Sequence, residues 1–315
     1  MRYTQQRHNK WLLPLFTGLL LLLSGCSELT VMDPKGPVGE SQKDLILYAL
    51  TFMMGIVVIV FTLFTIMVVK YRDKSNRKAE YKPDLHGNLK LETVWTIIPV
   101  MIVTALAIPT ISTLFDLEKP PVSSEKEPLV IYATTADWKW FFSYPEQGIE
   151  TVNYLHIPTD RAIEFRLSSA DAMTALWIPA LGGQKYNMPG METTLFLQAD
   201  ETGVFQGRNS NFNGEGFAEQ TFKVHAESSS DFQDWAKSTK NSAPELTQDK
   251  YDSLLKPGLV NKMEFSSTHL EWVHHGSNDG RDYSINRHRT DFAEQLELKN
   301  GKNHNHGPSE KEGGQ

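Results

Sequence analysis

Two uninterrupted apolar runs dominate the first third of the chain. Leu45 to Val69 and Thr93 to Phe115 carry no charged residue, and each is longer than the roughly 20 residues that cross about 30 Å of hydrocarbon. The pattern predicts a two-helix transmembrane hairpin, 45–69 and 93–115. The connector, 70–92, holds Lys70, Arg72, Lys74, Arg77, Lys78, Lys82 and Lys90, whereas the segment 26–44 holds only Lys35 and Lys43. Positive charge gathers on the cytoplasmic side of spans, so the connector is expected inside and both hairpin ends outside. Pro99 and Pro109 fall within the second span. Each frees a backbone carbonyl that lipid cannot satisfy, which predicts packing of that helix against protein.

After a charged, proline-bearing linker, 116–128, the periodicity changes. Short runs rich in β-branched and aromatic residues alternate with Gly, Pro, Asn and Asp, which is the signature of strands and turns. Strands are expected near 129–134, 138–144, 153–157, 162–168, 193–199, 203–207 and 221–226. Their number over about 100 residues predicts an antiparallel sandwich or barrel across 129–227. From Ser228 the period changes again. Ser230-Asp231 is expected to cap a helix that puts Phe232, Trp235 and Ala236 on one face. Thr247 is expected to start a second, carrying Tyr251, Leu254 and Leu255 and stopped at Pro257-Gly258. These small C-terminal helices lie within 228–277, and the polar stretch 278–315 is expected to be flexible.

The N-terminus adds an export signal. Residues 1–25 combine a basic start, an apolar run from Trp11 to Leu23 and small residues, the pattern of a cleaved signal peptide. Leu23-Ser24-Gly25-Cys26 fits a bacterial lipobox, so Cys26 is the expected lipidation site. It is the one cysteine in the chain, and its place at the end of the apolar run argues against an incidental residue.

Composition narrows the function. The chain of 315 residues is 40% hydrophobic and carries a net charge of −7; mean hydropathy is −0.36, so a large polar part balances the spans. The acidic balance argues against nucleic acid as a partner. No phosphate loop, nucleophile elbow or HExxH motif occurs. His274-His275 and the pair His304 and His306 lie in polar sequence without fixed-spacing partners, the pattern of adventitious metal binding. His86 falls in the connector, and His156 and His225 alternate within predicted strands, so structural roles are expected for all three. Trp138 and Trp140 occupy alternate positions of a predicted strand and are expected on one side of it, filling the sandwich or lying near an electron or quinol interface.

The stretch Gly203 to Gln220, GVFQGRNSNFNGEGFAEQ, has the spacing of a metal loop without its donors. With cysteines at 209 and 213, a histidine at 217 and a methionine at 220 it would read C-x3-C-x3-H-x2-M, the dinuclear copper loop of cytochrome c oxidase subunit II. The upstream histidine of that site falls two residues before Leu176-Trp177, where this chain has Thr174. Thr174, Asn209, Asn211, Asn213, Phe217 and Gln220 thus occupy the copper-ligand positions, and a mixed-valence copper pair needs bridging thiolates. No metal is expected to bind there.

The framework around those positions resembles subunit II of haem-copper terminal oxidases. Trp138-Lys139-Trp140-Phe141-Phe142-Ser143-Tyr144-Pro145, Pro179-Ala180-Leu181-Gly182-Gly183, Met188-Pro189-Gly190-Met191 and Gly203-Val204-Phe205-Gln206-Gly207 follow that family in order. Loss of all copper ligands marks its quinol-oxidase branch, of which the menaquinol oxidases of Gram-positive bacteria are one form. Asp33-Pro34-Lys35-Gly36-Pro37 and Tyr144-Pro145-Glu146-Gln147-Gly148 are similar to that branch, and the resemblance spans roughly residues 23–265. It implies a cupredoxin-like Greek key for 129–227 and a place in a complex that oxidises quinol, ubiquinol or menaquinol, and reduces dioxygen to water with proton translocation. Subunit II is assigned by the family to passing electrons from quinol to subunit I. The resemblance puts haems and one copper in subunit I, the main partner, with subunits III and IV alongside, and no cofactor in this chain. It implies a bacterial plasma-membrane location with the folded domain outside. The alternative reading is a lipid-anchored cupredoxin-like assembly protein of the oxidase, which would not require two spans besides its acyl chain.

Overall fold

The computed structural model describes residues 29–72, 87–121 and 126–286. The segment 1–25 expected to be a signal peptide, Cys26, most of the connector with His86, and the segment from 287 with His304 and His306 lie outside the described residues.

Helix α1 spans Pro37–Tyr71 and α2 spans Leu89–Leu117, both extending past the apolar runs. Pro37 opens α1, where a missing N–H costs nothing, and Asn88 caps α2 by accepting from Lys90 N and Leu91 N. In both helices the apolar side chains are exposed along their length, as they are in a lipid-facing segment. Thr51, Thr62, Thr65, Thr93, Thr96, Thr104 and Thr110 each turn their hydroxyl back to the carbonyl four residues earlier, so those hydroxyls need no water. Pro109 cannot donate to the carbonyl of Ala105. The Tyr48 hydroxyl of α1 donates to that oxygen instead, at 3.2 Å. One freed carbonyl is therefore met inside the hairpin, where the sequence pointed to outside protein.

The sandwich has two sheets. One runs β11-β3-β2-β1-β5-β8 and the other β4-β10-β9-β6-β7, with β1 Leu129–Ala136, β2 Lys139–Tyr144, β3 Ile149–Val152, β4 Tyr154–Pro158, β5 Ile163–Ser169, β6 Thr174–Ile178, β7 Gly182–Asn187, β8 Thr193–Leu197, β9 Gly203–Asn209, β10 Thr221–Glu227 and β11 Met263–Phe265. The sheets are mixed, not purely antiparallel: β1 pairs with β5, and β10 with β4, in parallel. Strands β3, β6, β7 and β11 were not expected; they are short, polar or adjacent to Gly turns, so their alternation is weak. Asn153, at a positive φ of 61°, turns the chain from β3 in one sheet into β4 in the other. Its side chain accepts from Trp140 N and donates to the Val260 carbonyl.

Strand β2 is buried on both faces. Trp140, Phe142 and Tyr144 enter the main core with Phe165, Leu176 and Phe222. Phe141 points the other way, into a second core with Tyr251, Leu254, Leu255 and Phe265. Helix α3, Ser229–Ser242, is capped by Ser228 accepting from Asp231 N, and α4, Gln248–Leu255, by Thr247 accepting from Lys250 N. The C-terminal helices thus close the outer side of the six-stranded sheet and the edge at β4. Residues 278–286 are helical rather than flexible, with Ser284 buried against His275. His275 is itself buried, bonded to the Tyr251 hydroxyl at 2.9 Å, and so is a core residue instead of part of a polar tail.

The membrane arm is docked on the sandwich. Lys35 N donates to Ala180 O and Asp200 N to Lys35 O, Gly183 N donates to the Gln42 side chain at 3.1 Å, and Val38 is buried. Gly182, at φ +93°, lies so close to α1 that an added Cβ would sit 2.8 Å from Gly39 Cα. Replacing Gly182 with Ala imposes both that clash and a left-handed conformation that L side chains avoid. We expect Gly182→Ala to lower stability by about 2 kcal/mol, read as a reduced melting temperature of the detergent-purified protein. Gly55→Ala, where nothing lies within 4 Å, should leave the melt unchanged.

Candidate functional site

Of the six residues at the copper-ligand positions, Asn211, Asn213, Phe217 and Gln220 lie between β9 and β10, Asn209 ends β9 and Thr174 begins β6. The structure brings Asn209, Asn213 and Gln220 together as a polar knot. Asn209, buried at the end of β9, accepts on Oδ1 from Ala175 N and Asn211 N, both at 2.9 Å. Its Nδ2 donates to Asn211 O at 2.8 Å and to Gln220 Oε1 at 2.9 Å. Asn213 Nδ2 donates to the same Gln220 oxygen at 2.8 Å. Thr174 is withdrawn from the knot and pairs its hydroxyl with that of Thr135 at 2.9 Å. Asn211 turns outward, donating to Met173 O. Phe217, in the short 3-10 turn Phe217–Glu219, packs edge-on against the exposed Phe212, ring centroids 5.4 Å apart. Asn213 Oδ1 and Gln220 Nε2 are buried without a hydrogen-bond partner.

The donor set consists of amides, a hydroxyl and a phenyl ring. It offers no thiolate, imidazole or thioether, and the amides at the first, second and last loop positions are turned on one another. These residues do not fit a dinuclear copper centre.

Trp138 and Trp140 do not share a face. Asp137 and Trp138 both have positive φ, 32° and 70°, and form the two-residue turn between Ala136 and Lys139, which are paired. Two positive φ angles are what a tight hairpin demands, and they rotate Trp138 out of the alternation that the sequence suggested. Trp140 is fully buried and donates to Gln220 O at 3.4 Å. Trp138 is half-buried at the hairpin tip and donates to Asn213 O at 3.3 Å. A Cβ on Gly216 would meet the Trp138 ring at 2.4 Å, so only glycine lets the loop lie against it. Both indoles pin the loop from below.

Two features near the tip escaped sequence reasoning because they depend on contacts far apart in the chain. Lys139 is fully buried, and its ammonium donates to the carbonyls of Asp137, Lys256 and Gly258 at 3.0, 2.8 and 2.8 Å. That ties the hairpin to the segment after α4. Beside it, Asp171 accepts from Asp137 N at 2.8 Å and from Ala172 N at 2.6 Å. Burial first, and the neighbouring Asp137 carboxylate second, push the Asp171 carboxyl up to about 7, against the pull of its backbone donors.

The family model for "Cytochrome C oxidase subunit II, transmembrane domain" matches residues 26–113. A quinol oxidase subunit 2 of Bacillus subtilis is 56% identical over 260 residues, covering 82% of this chain and 81% of its own. A probable quinol oxidase subunit 2 of Staphylococcus epidermidis is 52% identical over 84% of this chain and 69% of its own. Among solved structures, the periplasmic domain of cytochrome oxidase subunit II of Bradyrhizobium japonicum aligns with 37% of this chain and 96% of its own, at 25% identity and a TM-score of 0.36. The hairpin, the family model and the quinol oxidase relatives define the oxidase subunit II class of membrane protein. Within that class, the chain belongs to the family of quinol oxidase subunit 2.

Two outcomes follow from the geometry. Asn209→Ala strips four hydrogen bonds from a buried position and should cost about 3 kcal/mol, measured as a lowered denaturation midpoint; Asn211→Ala, on an outward side chain, should cost far less. In the native state Asp171 keeps a proton from the ordinary carboxylate range up to about pH 7, so the folded chain binds more protons there than the unfolded one. Stability contributed by this group is therefore present at low pH and lost as pH rises through about 7. Thermal melts between pH 5 and pH 8 should show that decline, and Asp171→Asn should flatten it.

Proposed function

We propose that this chain is the second subunit of a quinol:oxygen oxidoreductase, without the dinuclear copper, holding the outer side of the complex together while subunit I performs the redox chemistry. The single observation that carries the reading is the knot of Asn209, Asn213 and Gln220, in which amides occupy the two thiolate positions and the thioether position of the loop and the asparagines both donate to Gln220. The relatives named quinol oxidase subunit 2 support the same reading. A quinol is lipid-soluble and reaches its oxidation site within the membrane, so no copper relay outside the membrane is required. Subunit I is the main partner, with subunits III and IV alongside, and the haems and one copper reside in subunit I. Trp138, half-buried at the hairpin tip, is the residue of this chain assigned to the interface. Trp140 holds the core beneath it.

The finer topology belongs to the same proposal. The signal peptide is removed, Cys26 carries a lipid, the basic connector faces the cytoplasm and the sandwich lies outside.

The complex, isolated through a tag on this chain, tests the reading by metal analysis and oxygen uptake. Haem with a single copper, uptake driven by quinol, and none with reduced cytochrome c are the expected results. Two further coppers, or rapid oxidation of cytochrome c, would overturn it. Labelling of the chain with fatty acid in cells, abolished by Cys26→Ala, is the expected outcome for the anchor.

A further inference from the structure

A second cluster lies at the far end of β10 from the amide knot. His156 on β4 and His225 on β10 are direct neighbours in the parallel pairing of the two strands. Glu227 stands two residues beyond His225 and so shares its face of the sheet. The imidazoles are stacked, centroids 4.6 Å apart and planes 13° from parallel. Trp235 of α3 covers the other side of His156 at 4.1 Å and 8°. His156 is thus clamped between two rings. One ligand atom from each of His156, His225 and Glu227 lies within 4.8 Å of the others.

Two observations separate this group from an ordinary stacked pair. His156 Nδ1 is buried with Glu227 Oε1 3.1 Å away, an ion-pair approach at an angle poor for a hydrogen bond. Burial also lowers the proton affinity of both imidazoles, for His156 against the pull of Glu227 and for His225 together with the nearby Lys262 charge. Neutral imidazole, with a free lone pair, is the form in which histidine binds a metal. Lys223 and Lys262 add positive charge near His225, and Glu264 adds a carboxylate near His156.

We propose that His156, His225 and Glu227 form a binding site for Zn2+, with water as the fourth ligand. Two imidazoles and a carboxylate are a donor set zinc accepts, and three protein ligands with an open position are an established coordination for it. Bond lengths of about 2.0–2.1 Å imply ligand atoms about 3.3 Å apart in a tetrahedron. Glu227 and His225 reach that spacing by side-chain rotation, being only partly buried, while Trp235 keeps His156 fixed. The ion cross-links β4 to β10 beneath α3, so it braces the sheet edge instead of serving electron transfer.

The test uses the intact complex, stripped with EDTA, re-equilibrated with Zn2+ and desalted. Wild type is expected to retain one more zinc per complex than His225→Gln or Glu227→Gln, with at least a tenfold weaker apparent affinity in each variant. Replacement by Co2+ should give the absorption of a tetrahedral ion in wild type and not in the variants. All three should melt together in EDTA, with zinc raising the melting temperature of wild type alone. Equal zinc content in the three proteins would mean an adventitious ion only, and would overturn the proposal. Should a variant unfold in EDTA, wild type still decides, because a melt unmoved by Zn2+ also overturns it.

Discussion

Gln220 is the point at which the outer end of the sandwich is held. Its side-chain oxygen accepts from Asn209 and Asn213, and its backbone oxygen accepts from Asn209 N and Trp140 Nε1. Four donors from three parts of the chain thus converge on one residue. A loop of this length, with glycines at 214 and 216, has much conformational entropy to lose on ordering. In a copper-bearing relative metal–ligand bonds would meet that cost; here charge-neutral amide bonds, shielded from water, do so. The knot needs no oxidation state and no metal supply. It is sensitive instead to any change that leaves a buried amide group unpaired.

Much of this was readable from the sequence. The spans followed from uncharged apolar runs, and the α3 and α4 faces from the spacing of Phe232 and Ala236 and of Tyr251, Leu254 and Leu255. Spacing around positions 209–220 identified the loop and the absence of donors. What the sequence hid were contacts made across the fold. Trp138 looked like a strand residue because alternation reveals nothing of two successive positive φ angles. His275 looked like tail because its burial depends on Tyr251 and on residues 278–286 folding back. His156 and His225 were each unremarkable singly; only the parallel pairing of β4 with β10 sets them side by side, and pairing partners are not written in local periodicity.

The buried faces of β2 explain why the chain does not stop at the sandwich. A strand with Trp140, Phe142 and Tyr144 on one side and Phe141 on the other leaves a large apolar side open unless something covers it. The segment after Glu227 supplies that cover, and Lys139 fastens it by donating to two of its carbonyls, those of Lys256 and Gly258. Hairpin tip, knot and C-terminal cap are thereby one mechanical unit, although tip and knot lie 75 positions apart and tip and cap 117.

The membrane arm meets this unit at two places. The first turn of α1 is seated on Gly182, and the end of α2 is held by Leu117 against the main core and by Glu118 to Lys185 at 2.9 Å. A domain hung on a single linker can swivel freely; one carried on two legs cannot. The depth at which the helices sit in the bilayer therefore sets the height and heading of the hairpin tip above it. Membrane thickness is in this way converted into a position of Trp138, and a bilayer that displaced either helix would tilt the whole outer surface with it.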